Sequence, residues 1–247
     1  MQEDQFNLHA DLENCHWWFM ARRHILQDQI SLCMQGQTGI IAEIGCGTGG
    51  NLQALESLGW KTIGVDTNAT AITYAKTKVH GTLYHGLANT ALAPHWPDID
   101  MLLLADVLEH VEDDVTFLQE GIDHLKRGAF IVISVPALQL LWSQHDVILG
   151  HYRRYSYANL TTLISKVPNI QLNFMSYFNA MLLPVIGLTR LSEKIIKPKQ
   201  ARVSDLQEHC NFSNRLLYSL FSVERPFLRN RIRLPIGASL LCVLQKI

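Results

Sequence analysis

In this chain of 247 residues, the segment best equipped for chemistry is Glu43-Ile-Gly-Cys-Gly-Thr-Gly49. An apolar run, Ile40-Ile-Ala, leads into it, and Gly50-Asn-Leu-Gln-Ala-Leu leads out with helical character. Gly45, Gly47 and Gly49 remove the Cβ atoms that keep a ligand off the backbone, and they permit positive φ. A strand, a glycine turn and a helix in that order make a nucleotide site. Gly45, Gly47 and Gly50 also fit the dinucleotide spacing. Asp66, at the end of the next apolar run, stands where an acid holds ribose hydroxyls.

Glu43 separates the two kinds of nucleotide. A carboxylate aimed into the turn repels a pyrophosphate. It suits a cofactor with positive charge and no phosphate, and S-adenosylmethionine carries a sulfonium and an amino group. Three more segments follow in order: Thr62-Ile-Gly-Val-Asp66, Asp106-Val-Leu-Glu-His-Val111 and Leu125-Lys-Arg-Gly-Ala-Phe-Ile-Val-Ile-Ser-Val-Pro136. With these in place the chain resembles the class I S-adenosylmethionine-dependent methyltransferases, over residues 38–178 and the final strand. An NAD-type domain leaves Asp106–Val111 unexplained.

The resemblance implies S-adenosylmethionine as cofactor and S-adenosylhomocysteine as product. Glu43 then acts through the turn, and Gly45, Cys46, Gly47 and Gly49 lie along the methionine moiety. Asp66 accepts from the ribose hydroxyls, with Thr67 beside it. Asp106 and Val107 line the carboxyl edge of the sheet. One motif departs from the family, which usually has an acid after a glycine to contact the adenine. Here the residues are Gly86-Leu87-Ala88-Asn89, and Asn89 or a backbone carbonyl takes that role.

A second constellation is Trp142-Ser-Gln-His-Asp-Val-Ile-Leu-Gly-His-Tyr-Arg-Arg-Tyr155. Arg153 and Arg154 suit a forked clamp on a phosphate or carboxylate of the substrate. The catalytic candidates are His110, His145, His151 and Tyr155, since a histidine near neutrality can take a hydroxyl proton. The loop resembles the His-Tyr-Arg-Arg-Tyr segment of a subset similar to the ubiquinone-pathway O-methyltransferases. The competing reading is a structural loop whose arginines pair with nearby acids, and a His110 that only packs. Trp18 lies in His16-Trp-Trp-Phe-Met-Ala-Arg-Arg-His24, where three aromatics stand beside two arginines. That segment reads as a lid closing over substrate, as core, or as a membrane-surface contact.

These residues need a frame. Apolar runs near Gly39–Ile44, Trp60–Val65, Thr82–His85, Met101–Ala105, Phe130–Val135, Gln171–Tyr177 and Ala238–Gln245 predict seven strands. Helices are expected near Asn51–Leu58, Ala69–Lys78, Asp113–Lys126 and Tyr157–Ser165, with Asn68 and Ser156 as N-caps. The fold class is α/β: a doubly wound, mostly parallel sheet with its last strand antiparallel. The expected organisation is a helical lid over 1–37, the cofactor-binding core over 38–178, a helical insertion over 179–230, and the final strand over 231–247.

Charge is divided unevenly. Residues 151–247 hold 14 Lys or Arg against 4 Asp or Glu, whereas the rest of the chain is acidic. The split points to an anionic partner, or to charge sets that neutralise each other across the fold. The five cysteines are scattered and read as reduced thiols of a cytoplasmic protein. No secretory signal and no ~20-residue apolar span is apparent. The histidines do not reproduce a zinc pattern, so no metal is expected. Nucleic acid is disfavoured as acceptor, because Ala105-Asp-Val-Leu is not the aromatic segment of base-modifying relatives. The expected activity is methyl transfer, O-directed, to a small or lipid-linked anionic acceptor. The competing expectation is a cofactor-binding accessory or membrane-docking subunit without turnover.

Overall fold

In the computed structural model, which describes residues 10–195 and 211–247, the apolar runs form one seven-stranded sheet. The strands are β1 (Ile40–Ile44), β2 (Lys61–Asp66), β3 (Thr82–His85), β4 (Met101–Ala105), β5 (Phe130–Pro136), β6 (Ile170–Phe178) and β7 (Ser239–Lys246). Their order is β3-β2-β1-β4-β5-β7-β6. The first five pair in parallel, and β7 inserts antiparallel between β5 and β6. Every residue of β4 is buried, as a strand covered on both faces requires.

The helices end where their caps place them. Asn68 Oδ1 accepts from Ala71 N at 3.0 Å and opens Ala69–Ala75. Asp113 opens Asp114–His124 and Ser156 opens Tyr157–Ser165 in the same way. Gly50–Glu56 stops short of the predicted Leu58, because Leu58 and Gly59 turn back onto Leu55 and Glu56.

The sheet has a core on each face. One joins Ile44, Leu102, Leu104 and Ile133 to Leu118 and Ile122 of the helix Asp114–His124. The other joins Ile41, Met101, Leu103 and Val132 to Ala21, Ile25, Leu26 and Ile30 of the helix Trp17–Cys33. The body of that N-terminal helix is therefore core. Its first two turns, with Trp17, Trp18 and Arg22, open on the cavity described below.

The insertion folds as helices Leu183–Ile195, Asn211–Ser222 and Arg225–Arg229. It docks on the N-terminal helix: Trp17 N donates to Asn214 Oδ1 at 2.8 Å, and Arg225 grips Asp28 at 2.9 and 3.1 Å. Buried Glu224 accepts from Ala180 N and Met181 N, fixing the chain as it leaves β6. Lys197, Lys199 and Arg202, three of the basic residues of the insertion, lie outside the described residues. Among the described residues, Cys15, Cys33, Cys46 and Cys242 are free thiols, and no helix is long and apolar enough to cross a membrane.

Because Ile25 is buried in the main core, Ile25→Ala should destabilise the domain by about 2–5 kcal/mol. Urea unfolding followed by tryptophan fluorescence and by circular dichroism should shift together. A separate early transition for the N-terminal helix would contradict this packing.

Candidate active site

The strand order reverses between β1 and β4, and their carboxyl ends leave a crevice there. A cavity of about 1110 Å³ fills it, enough for a cofactor and a second molecule together.

The glycine turn forms one wall. Gly45 N and Cys46 N donate to Val65 O at 2.8 and 3.1 Å, which ties the turn to β2. Gly45 has φ +68°, and a Cβ there would sit 2.8 Å from Val107 Cγ2. Gly47 has φ +53°, and a Cβ there would meet nothing within 4 Å, so this is the open cradle. Gly49 differs from expectation. It does not line the cavity, and its Cβ would strike Val79 and Ala75 at 2.8 and 3.1 Å. Its role is close packing under the turn.

Glu43 lies buried at the floor of this wall. Its Oε1 accepts from Asn51 Nδ2 at 2.7 Å, while its Oε2 has no partner. Burial pushes its pKa up to about 8, against the pull of the Asn51 hydrogen bond. A buried acceptor facing a cavity without a donor is the mark of a missing partner, and a cofactor ammonium group fits it. Asp66 accepts from Gly47 N at 2.9 Å and from Asn68 N at 2.8 Å. It lines the cavity with Thr67, Gly86, Leu87 and Ala88.

Asn89 does not join them. It sits in the short helix Ala88–Ala91 and its amide donates outward to Glu120 Oε2 at 2.5 Å. Asn89 does not line the cavity, whereas Gly86, Leu87 and Ala88 do. Asp106 holds a positive φ of 58° at the end of β4, a conformation that surrounding contacts must enforce. Ser134 Oγ donates to its Oδ1 at 3.1 Å, and Arg22 forms an ion pair with its Oδ2. Val107 and Trp18 also line the cavity, and the Arg22 guanidinium lies 4.5 Å over the Trp18 ring.

Arg22 and Glu13 carry no motif that marks them in the sequence. Glu13 accepts from Thr48 Oγ1 at 2.7 Å and Gly50 N at 3.1 Å, and pairs with Lys78. It fastens the N-terminal segment over the glycine turn.

The other end of the cavity is built around histidines. His110 and His151 meet edge to face, with ring centroids 4.7 Å apart. His151 Nδ1 bonds Asp146 Oδ1 at 2.9 Å. Arg154 Nε and Ser143 N also donate to Asp146, at 2.8 and 2.9 Å. Despite its burial, these partners hold the Asp146 carboxyl well below the usual range. Burial, with His151 adding, pushes His110 down to about 4, so its ring is neutral at ordinary pH. Burial and the nearby Asp106 raise Glu109 well above the usual carboxyl range, and Glu109 Oε2 has no partner. His145 lines the cavity as well.

Two expected members of this end are elsewhere. Tyr155 is buried outside the cavity, and its hydroxyl donates to Asp114 Oδ2 at 2.7 Å. Burial and Asp114 push its pKa up, which disqualifies it as a base at neutral pH. Arg153 donates to Asp114 Oδ2 at 2.9 Å and Glu112 O at 2.6 Å, and does not line the cavity. Arg154 does line it, but is committed to Asp146 and to Ala137 O. Successive side chains of an extended segment point to opposite sides, so the two arginines do not form one clamp. The structural reading of the loop holds for Arg153 and Tyr155. Arg153, Arg154, Arg225 and Arg229 all pair with acids from the first 150 residues, so much of the charge split is internal.

A family model described as a methyltransferase domain matches residues 42–133, the part of the chain that holds the glycine turn, Asp66 and Asp106. Residues 42–133 therefore carry a methyltransferase domain. The fold agrees across most of the molecule. A SAM-dependent methyltransferase from Archaeoglobus fulgidus is 17% identical with a TM-score of 0.55, covering 91% of this chain and 94% of that one. The plantazolicin methyltransferase BamL, solved with SAH, is 13% identical with a TM-score of 0.60, covering 98% and 89%. The magnesium protoporphyrin IX methyltransferase of Synechocystis PCC 6803, also with bound SAH, is 15% identical with a TM-score of 0.50, covering 64% and 77%. At these identities the likeness speaks to fold. No curated protein matches the sequence.

Two outcomes follow for this methyltransferase domain. Tyr155→Phe removes a buried hydrogen bond and should cost about 1–3 kcal/mol in urea unfolding, with cofactor affinity unchanged in calorimetry. Lost affinity at unchanged stability would restore Tyr155 to the site. Glu43 has a folded pKa of about 8, raised from 4.5, so its neutral form favours folding. That contribution is complete below about pH 4.5 and is lost as pH rises through 8. The cofactor-free protein should therefore lose stability across that window, and Glu43→Gln should flatten the decline.

Proposed function

We propose that the chain methylates a hydroxyl of a small or lipid-linked anionic acceptor that enters the cavity beside the helix Leu183–Ile195. The observation that carries this reading is the pairing of His151 with Asp146, next to His110, in the cavity that Glu43 and Asp66 also line. When bound, S-adenosylmethionine supplies a methyl group on an activated sulfonium leaving group.

The residues have distinct tasks. Glu43 Oε2 receives the cofactor amino group, and Asp66, already set by Gly47 N, receives the ribose hydroxyls. Asp146 is ionised and can only accept, so His151 Nδ1 donates to it and Nε2 stays outside that bond. His110 is neutral and keeps one lone pair. The His110–His151 pair stands beside the acceptor and receives the proton of its oxygen as the new C–O bond forms.

The acceptor class rests on the cavity walls. Leu182, Val185, Ile186 and Leu217 line one side, and Met181, Val185 and Leu188 remain exposed around it. An acceptor with an isoprenoid or acyl tail would cover them, and would bring the protein to a membrane surface. The anionic part of the acceptor is supported by the basic residues of the insertion, Lys197, Lys199 and Arg202 among them. The likeness of the His151–Tyr155 segment to the ubiquinone-pathway O-methyltransferase subset supports oxygen as the methylated atom. An accessory subunit without turnover would have no use for the buried Asp146–His151 pair.

Calorimetric titration with S-adenosylmethionine and S-adenosylhomocysteine tests the cofactor half. Asp66→Ala should weaken both by about tenfold or more. Transfer of labelled methyl to polyprenyl-linked and aromatic hydroxyl acceptors tests the other half. Binding without transfer to any acceptor would favour the accessory reading.

A further inference from the structure

Trp17 Nε1 and Asn179 Oδ1 are buried polar atoms without a hydrogen-bond partner. Both residues line the cavity, among Leu182, Ile186 and Leu217. One atom can only donate and the other can only accept. We propose that Trp17 and Asn179 form a subsite for a group of the acceptor that both donates and accepts, a hydroxyl or an amide. That the group belongs to a methyl acceptor rests on the methyl-transfer reading above. The subsite itself stands on the two unpaired atoms.

Aromatic rings tie the pair together. Trp17 meets Phe221 edge to face with ring centroids 6.0 Å apart, and Phe221 stacks on Phe178 at 6.1 Å. Phe178 is the residue before Asn179. Both ends are also fixed through the backbone. Trp17 N donates to Asn214 Oδ1 at 2.8 Å, Asn179 O accepts from Ala238 N at 3.2 Å, and buried Glu224 holds the next two amides. The χ2 torsion of asparagine is broad, so the Asn179 amide turns toward the cavity at small cost.

Packing alone does not explain these residue types. Phenylalanine would meet Phe221 as well, without a buried N–H to satisfy. Asn179 has φ +58°, which asparagine tolerates better than most residues, but glycine serves such a backbone without burying an amide. A buried polar group without a partner calls for a reason, and a ligand that supplies both missing bonds is one. The wall around the pair is apolar, so two polar atoms suffice to orient what binds there. An ether or an ester can accept from Trp17 but has no hydrogen for Asn179.

Position decides which part of the acceptor is read. Asn179 follows β6 and the turn carrying His110 follows β4, with β5 and β7 between the two strands. Three strand spacings of ~4.8 Å separate those strand ends by about 14 Å. One small ring cannot span that distance. The recognised group therefore lies beyond the part that carries the reacting hydroxyl, where the acceptor meets the apolar wall of Leu182 and Ile186.

The test is proton–nitrogen NMR of full-length protein, isotope-labelled at its five tryptophan indoles. The Trp17 signal is the one lost in Trp17→Phe. Two probe pairs are titrated: N-butyloctanamide against butyl octanoate, and decanol against methyl nonyl ether. The amide or the alcohol should move the Trp17 N–H signal downfield and bind at least about tenfold more tightly than its ester or ether counterpart. Trp96 Nε1 is also buried without a partner but lies outside the cavity, so its signal should stay in place. Trp17→Phe and Asn179→Gly should each cut the preference to below about threefold, with folding checked by circular dichroism. Asn179→Gly keeps the left-handed backbone, so a purely conformational asparagine would leave the preference intact and overturn the subsite. A preference confined to the amide pair upholds it with an amide as the group, and one confined to the alcohol pair with a hydroxyl. No binding of any probe by folded protein, equal binding within both pairs, or an unmoved Trp17 signal at saturation overturns it. A preference that both variants abolish, with no methyl transfer to any acceptor, upholds the subsite and sinks the methyl-transfer reading. Methyl transfer with no preference within either pair does the reverse.

Discussion

The reversal of strand order between β1 and β4 is the constraint on which the rest depends. The helix after β1 sends Leu55 to one face of the sheet, and the helix after β4 sends Leu118 and Ile122 to the other. Chain leaving the two strands therefore diverges, and the carboxyl ends between them stay uncovered. Every polar group placed there must find a partner in its neighbours or in a ligand. Gly47 N and Asp66 satisfy each other and brace the turn. The insertion and the N-terminal helix then wall the crevice, because their apolar faces need the same side of the sheet.

How far this could be read from the sequence depended on whether a residue's role is set locally. Thr82–His85 and Met101–Ala105 fall at the limits expected of them, because a short apolar run bounded by polar turns has few other conformations. Glu43, Gly45, Gly47 and Asp66 stand at the strand ends expected of them, since each is placed within a few residues of a strand end. Gly49 was misjudged, because an αL glycine looks the same in sequence whether a ligand or a neighbouring helix claims the space. Asn89 was misjudged for a similar reason: one turn of helix decided whether its amide faced in or out.

The loop from Trp142 to Tyr155 shows a second kind of difficulty. Its charged residues carried a functional reading beside a structural one, and partners elsewhere in the fold then divided them. His151 and Arg154 reach the cavity, while Arg153 and Tyr155 meet at Asp114 on the far side. Asp114 lies in another helix, so no local pattern could reveal the pairing. Arg22 and Glu13 reach the site from a segment remote in sequence, and Glu109 lay hidden in a motif whose histidine drew the attention.

The buried carboxylates along the cavity divide into two classes. Asp106 and Asp146 have arginine partners, which offset the cost of taking them out of water. Glu43 and Glu109 each keep an oxygen with no partner. An unmatched buried acceptor costs about 1–3 kcal/mol, so the cofactor-free molecule holds both at the expense of stability. The paired acids sit beside their arginines in the middle and the outer loop, and hold elements together. Both unpaired acids line the one cavity. On the proposed reading Glu43 awaits the cofactor ammonium. The protein spends stability at Glu43 because a ready partner there would leave no charge for the cofactor to meet.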